Sequence, residues 1–273
     1  MNSITSFIKR HPQVPFWLIA WSTFAYGWFM FAKSGAFFWA FLMWGPFLGG
    51  ILVTAVVDGR SGLKTYFSRI VRWRVGLKWY AIAIFFPLIL RLIAVGFNII
   101  AGAKLSTNIQ WITLPDLMFE LVFATFFTAL GEEPGFRGFA LPRMLVGRSA
   151  LMAALVIGVL HTIWHLPLFI TGDDPPLTTA LIIISGSVLF TWLFNNTKGS
   201  VLIAMLLHIS VDIWQVVFKP VFNGADAQGQ EIWLVVSYIV MAVLLRVFAG
   251  RELGRKPEAA MNTQVAEQPA MAS

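Results

Sequence analysis

The chain contains no cysteine, which removes disulfides and thiolate metal ligands from consideration. Charge is almost as scarce. Only 12% of the 273 residues are Asp, Glu, Lys or Arg, about half of the roughly 25% usual for a soluble domain. Acidic residues are the rarer kind, 13 against 20 basic ones, leaving a net charge of +7. Too few polar side chains remain to cover a water-facing surface, so a soluble globule is excluded.

What fills the chain instead is apolar: 58% of residues are hydrophobic and the mean hydropathy is +0.75. They fall in blocks of about 17–25 residues, the length a helix needs to cross about 30 Å of hydrocarbon. Eight spans are predicted, near 15–32, 36–57, 77–100, 116–139, 150–170, 176–195, 199–219 and 231–248. Several of the 12 tryptophans (Trp17, Trp73, Trp79, Trp111) stand at block edges, as an aromatic belt requires. The first span is too long for a signal peptide and lacks its cleavage site, so it is expected to stay. The fold class that follows is all-α, a polytopic membrane bundle. A cytoplasmic N-terminus (1–14) leads into one membrane domain (15–250). A tail from 251 to 273, rich in Ala, Glu, Gln, Pro and Met, is expected to be disordered.

The basic residues are distributed unevenly between the loops. Segments on the side of the N-terminus hold Lys9 and Arg10, the cluster Arg60 to Lys78, Arg137, Arg143 and Arg148, Lys198, and Arg246 to Lys256. Segments on the other side hold only Lys33, Lys104 and Lys219. By the positive-inside rule both termini are cytoplasmic. The basic balance then points to anionic lipid on the cytoplasmic face, and no nucleic-acid partner is called for. Residues 60–78, with Leu63, Tyr66, Phe67, Ile70 and Trp73 at helical spacing, are expected to lie along that surface as an amphipathic helix.

Polar constellations interrupt the spans, and ionisable groups at bilayer depth are costly. Glu132 and Glu133 precede Arg137 in GEEPGFRGF. On a helix Glu133 faces Arg137 four residues on, while Glu132 points elsewhere and stays free for chemistry. Pro134 is expected to kink the chain there. An ordinary helix end in headgroup water is the plainer alternative. His161 and His165 share one face of the next span, at the spacing of HExxH metal sites but without the glutamate. His208 and Asp212, again four apart, suit a carboxylate orienting an imidazole, or simply a helix–helix hydrogen bond. Arg91 is expected to snorkel or to pair with a carboxylate such as Glu120. Ser185, Ser187 and Ser210 give no Ser-His-Asp geometry. If the acidic and imidazole groups converge, a water held between them becomes a nucleophile, and the remaining donors can stabilise an oxyanion.

These residues, in this order, resemble the CAAX protease and bacteriocin-processing (CPBP, Abi-type) intramembrane endopeptidases, whose pattern runs EExxxR, FxxxH, HxxxN or HxxxD. The likeness covers about residues 115–220: Glu132-Glu133-Pro134-Gly135-Phe136-Arg137, then Trp164-His165-Leu166-Pro167-Leu168-Phe169, then His208 to Asp212. It implies that Glu132 and His165 activate water. It further implies that His208 and Asp212 bind the scissile carbonyl or its oxyanion, and that Glu133 and Arg137 form a supporting ion pair. The phenylalanine of FxxxH is replaced by His161, read as a packing substitution or an extra ligand. At 1.5 Å per residue, His161 matches the depth of Glu132 better than His165 does.

Two histidines and a glutamate (Glu132, His165 and His208, with His161 as an alternative) would match an open catalytic zinc site. A glutamate-activated water without metal serves equally. The resulting expectation is an endopeptidase of a bacterial cytoplasmic membrane, cleaving a membrane-associated peptide or protein from the cytoplasmic side. A non-catalytic scaffold or immunity protein that keeps the fold is the alternative. A proton-relay transporter would be expected to show inverted repeats, and none is found. The sequence leaves the oligomeric state open.

Overall fold

A computed structural model describes residues 3–256, and every regular element within them is helical. The elements are α1 (Ser3–Arg10), α2 (Gln13–Ser34), a short 3-10 stretch (Phe37–Trp44) running into α3 (Gly45–Ile70), α4 (Leu77–Ile100), and a long α5 over Leu114–Met144. Then follow α6 (Ala150–Trp164), α7 (Leu166–Thr171), α8 (Pro176–Asn196), α9 (Val201–Phe218) and α10 (Gly224–Ala249). Among the described residues seven helices are long and apolar enough to cross a membrane. The eighth expected span is made in two pieces, α6 and α7, which meet at His165. The break has a local cause: Pro167 has no N–H to donate to the Ile163 carbonyl one turn back, so the ladder of α6 cannot continue through it.

Helix α5 carries the first irregularity that matters for the site. Its α-helical hydrogen bonding gives way to π-turns at Ala124–Ala129 and again at Pro134–Ala140. A π-turn adds one residue to the turn, and in the second case it takes in Pro134, which lacks a donor. The kink expected at Pro134 is therefore a widened turn, with Pro134 itself in helical conformation at φ −58°. Glycines let α3 approach this stretch closely. A Cβ on Gly135 would sit 2.4 Å from the Pro46 carbonyl oxygen, and one on Gly138 would meet the Tyr66 ring at 3.3 Å.

Two apolar clusters hold the bundle. One joins α2, α3, α5 and α6 through residues such as Phe16, Phe24, Phe136, Phe139 and Trp164. The other joins α4, α8, α9 and α10 through Leu90, Leu189, Leu207 and Tyr238. Outward faces stay apolar, as on α4, where Phe85, Ile89, Leu92 and Ile93 are exposed. That is the surface a lipid-facing helix presents.

Both ends of the described chain lie on one face of the bundle. Gln13 donates to the Ala140 carbonyl (2.9 Å), Leu151 N–H donates to the Arg251 carbonyl (2.9 Å), and Arg255 donates to the Leu145 carbonyl (2.8 Å). On the opposite face the loops after α4, α7 and α9 gather, with Ser106 N–H on the Val221 carbonyl and Asn98 on the Asp226 carbonyl.

Two expectations need correction. The stretch 60–78 is not one surface helix: the chain breaks at Gly59 (φ +61°), runs helically only to Ile70, then turns. Its Tyr66 is buried, with the hydroxyl donating to the Phe47 carbonyl, and Arg69 donates to the Gly138 carbonyl. Of the tail expected to be disordered from residue 251, the first residues are docked, with Leu253 fully buried. Residues 257–273 of that tail lie outside the described ones.

Candidate functional site

Glu132 and Glu133 sit between the two π-turns of α5, both buried. The adjacent carboxylates find different partners. Glu133 accepts from Arg137 through Oε1 at 3.0 Å, one turn on, and the same oxygen accepts from His208 Nδ1 at 2.8 Å. Glu132 reaches across to α6, with Oε2 3.1 Å from His161 Nε2. His161, taken above as a packing substitution or an extra ligand, is thus the imidazole in contact with Glu132. His165 is not: its Nδ1 donates to the His161 carbonyl at 3.2 Å, the same carbonyl that accepts from the His165 backbone N–H. The two imidazole rings nevertheless stand 4.9 Å apart, and Phe136 packs on His161 at 4.4 Å.

On α9, Asp212 accepts from Thr128 of the first π-turn at 2.9 Å and lies 3.9 Å from His208 Nε2. The expected i,i+4 pairing of His208 with Asp212 is therefore a long contact, and each side chain has a closer partner on α5. Arg91 pairs with Glu231 of α10 at 2.9 Å, not with Glu120. A sequence cannot show that choice, because it is made by which helices pack together.

All of this borders one cavity of about 630 Å³. Glu133, Arg137, His161, His165, His208 and Asp212 line its inner part, and Glu132 connects to it through His161. Arg91, Ser187 and Gln230 also line it, and sequence reasoning gave none of them a place in the site. Several buried polar atoms facing this region have no partner: Glu133 Oε2, His161 Nδ1, Ser187 Oγ and Gln230 Nε2. Unpaired polar groups are costly to bury, and a polar substrate backbone and water are what such atoms accommodate. At the rim, burial and the neighbouring Asp173 carboxylate push the carboxyl of Asp174 up from its usual range.

A zinc ion held by Glu132, His165 and His208 would need those three side chains to converge on one point. Among the described residues no three His, Asp or Glu side chains are grouped so as to hold a metal. Glu132 with His161 supplies two donors, whereas Glu133 is engaged by both His208 and Arg137. The arrangement does not fit the expected metal site.

Comparison with known proteins agrees with the region singled out. Residues 114–214 match the family described as Type II CAAX prenyl endopeptidase Rce1-like. The chain is also 21% identical over 244 residues to "CAAX prenyl protease 2" of Methanococcus maripaludis, an alignment covering 82% of this chain and 88% of that protein. The family match falls on the stretch that carries Glu132, His165 and His208, and the relative is alignable along most of its own length, so this chain is similar to CAAX prenyl endopeptidases across its candidate site.

Proposed function

We propose that the protein is an intramembrane endopeptidase that hydrolyses a peptide bond of a membrane-associated substrate, with Glu132 as the base that activates water. One observation carries the reading: a buried carboxylate, Glu132, is held at 3.1 Å by an imidazole at the inner end of a cavity large enough for a peptide. The protease names of its relatives, and the prenyl-modified CAAX substrate those names state, support the class.

In this reading Glu132 takes a proton from water as the oxygen attacks the scissile carbonyl carbon. His161 is a positioning residue, whose Nε2–H fixes the carboxylate. With Nδ1–H committed to the His161 carbonyl, His165 keeps a lone pair on Nε2 that accepts the second hydrogen of the water. His208, as imidazolium, keeps its Nδ1–H on Glu133 and offers Nε2–H to the oxyanion. The proton taken by Glu132 then passes to the leaving nitrogen as the C–N bond breaks. Arg137 holds Glu133 in place for His208, and Asp212 limits the swing of the same ring. No step requires a metal. We place the protein in a bacterial cytoplasmic membrane, with anionic lipid against its basic face.

The test is cleavage of candidate membrane peptides by purified protein in lipid, comparing wild type with Glu132→Ala and His165→Ala. The expected result is cleavage by wild type and a loss of at least about 100-fold in each variant, the usual scale for removing a general acid or base. Equal activity in all three would leave only a scaffold that has kept the fold. Loss of wild-type activity on treatment with a chelator, restored by zinc, would replace the metal-free route.

A further inference from the structure

We infer that Arg91 and Gln230 form a carboxylate-binding subsite on the cavity wall, apart from the groups that act on water, and that substrates are selected by a carboxylate seated there. The inference deepens the protease reading and rests on it for the word substrate, whereas the subsite itself rests on side-chain placement. Helix α4 turns an apolar surface outward, with Phe85, Ile89, Leu92 and Ile93 exposed, yet it meets the cavity at Pro87 and Arg91, one turn apart. A guanidinium in the middle of a membrane helix faces inward where polar partners offset its desolvation. Among the described residues the hydrogen-bond partner of Arg91 is Glu231, Nη1 to Oε1 at 2.9 Å. One such bond uses a small part of a guanidinium's donor fork. Nor is Glu231 a buried counterion: its side chain is 41% exposed, against 6% for Arg91.

Gln230, the neighbour of Glu231 in sequence, is 3% exposed and lines the same cavity. Its Nε2 is buried without a hydrogen-bond partner, a donor whose desolvation nothing in the chain offsets. A buried cation and an idle donor on one wall call for an acceptor that carries negative charge. A carboxylate matches: it takes two parallel N–H bonds from a guanidinium and keeps lone pairs for an amide. Glu231 can yield its place to such a ligand, because ion pairs with a partner in water are weak. Asp173, Asp174 and Lys219 also line the cavity, but Asp173 and Lys219 are exposed and Asp174 half-buried, so salt screens their fields. The subsite is set away from the water-activating groups. Glu231 precedes Tyr238 by about two helical turns, roughly 10 Å along α10. It is the Tyr238 ring that a Cβ on Gly186 of α8 would meet, at 3.6 Å. One turn further along α8 the Phe190 ring lies 4.2 Å from the Arg137 guanidinium. The carboxylate is either the end of a peptide chain or an Asp or Glu side chain, and the test separates the two.

The probe is a fluorescent, lipid-anchored peptide in four forms: C-terminal acid, C-terminal amide, and the amide with an internal Asp or with Asn in its place. Binding is measured to the Glu132→Gln protein in bicelles, which separates recognition from cleavage. One member of a pair, acid over amide or Asp over Asn, should bind about 10–100-fold tighter, the scale of a hydrogen bond to a charged group. Which pair shows the difference identifies the source. Adding Arg91→Gln should erase the preference, Arg91→Lys should keep part of it, and Gln230→Met should weaken it. Glu231→Gln keeps Arg91 and removes the internal competitor, so the carboxylate form should bind more tightly, the opposite of what breaking a purely structural pair would do. Equal or absent binding of all four forms, a preference that survives Arg91→Gln, or a Glu231→Gln protein that binds the carboxylate no more tightly overturns the inference. Should the binding results be as expected while wild type cleaves none of the four peptides, the subsite stands and the protease reading fails.

Discussion

Glu133 accepts from Arg137 and from His208 while its neighbour contacts one imidazole, and the two carboxylates should therefore fail in different ways. Removing the charge of Glu133 leaves Arg137 buried without its counterion, and breaking one half of a buried pair typically costs about 3–5 kcal/mol. Glu133→Gln is expected to lower the thermal midpoint in detergent markedly, with activity lost as a consequence. Glu132→Gln keeps the shape and a hydrogen-bonding group against His161, so the melting curve should hardly move while kcat/KM falls about 10²–10⁴-fold. If the two variants melt alike, the division of labour is wrong. The same reasoning separates His161 from a residue that merely packs. Because His161 acts through Glu132, groups serving one function combine non-additively. A Glu132→Gln/His161→Ala double variant should be no slower than Glu132→Gln alone. A product of the two single losses would mean that His161 acts independently.

Close helix approach is what lets these side chains meet, and it depends on α5 touching α3 without side chains between them. A methyl on Gly135 would lie 2.4 Å from the Pro46 oxygen and 2.5 Å from its carbonyl carbon. Backbone atoms cannot rotate away as a side chain can. Gly135→Ala should therefore lower stability by at least about 1–3 kcal/mol, the usual cost of overpacking, and move Glu132 off His161. Gly96→Ala is the control. Nothing lies within 4 Å of the added carbon there, and helix propensity alone favours alanine by up to about 1 kcal/mol. Melting curves of the two variants in one detergent decide the matter. Most of the span pattern was legible because block length and edge tryptophans report directly on bilayer thickness. The π-turns of α5 were not, since they have no compositional signature and Pro134 only marked that something had to yield. Nor was the docking of residues 60–70: they have the spacing of a surface helix, and only the bare surfaces of Gly50 and Gly138 beneath Tyr66 show that they dock. The motif order brought out Glu132, Glu133, Arg137 and His208 as a group. The partner of Glu132 was left between two histidines because the break at His165, not helix spacing, decides which imidazole reaches it.

At the scale of the whole molecule, charge and aromatic rings are concentrated where the bundle meets one membrane surface. The turn from Val71 to Gly76 exposes Val71 and Trp73, and Leu77 projects beside them. Arg74 lies 5.2 Å over the Trp73 ring and Lys78 4.8 Å over Trp79. Rings at the headgroup level with cations above them are an interfacial anchor, and each such cation is worth about 1 kcal/mol against an anionic surface. Arg74 on the turn and Lys78 at the start of α4 should then together contribute about 2 kcal/mol, enough to be read as a shift in thermal midpoint. The expected outcome is a higher midpoint in bicelles containing an anionic lipid than in zwitterionic ones. The difference should shrink as salt shortens the screening length and fall by a large part in an Arg74→Gln/Lys78→Gln variant. Equal midpoints in the two lipids would show that the basic face sets orientation without binding lipid. A lipid preference unchanged in the double variant would move the anchor elsewhere on that face, to cations such as Lys9 and Arg10, which end the first helix.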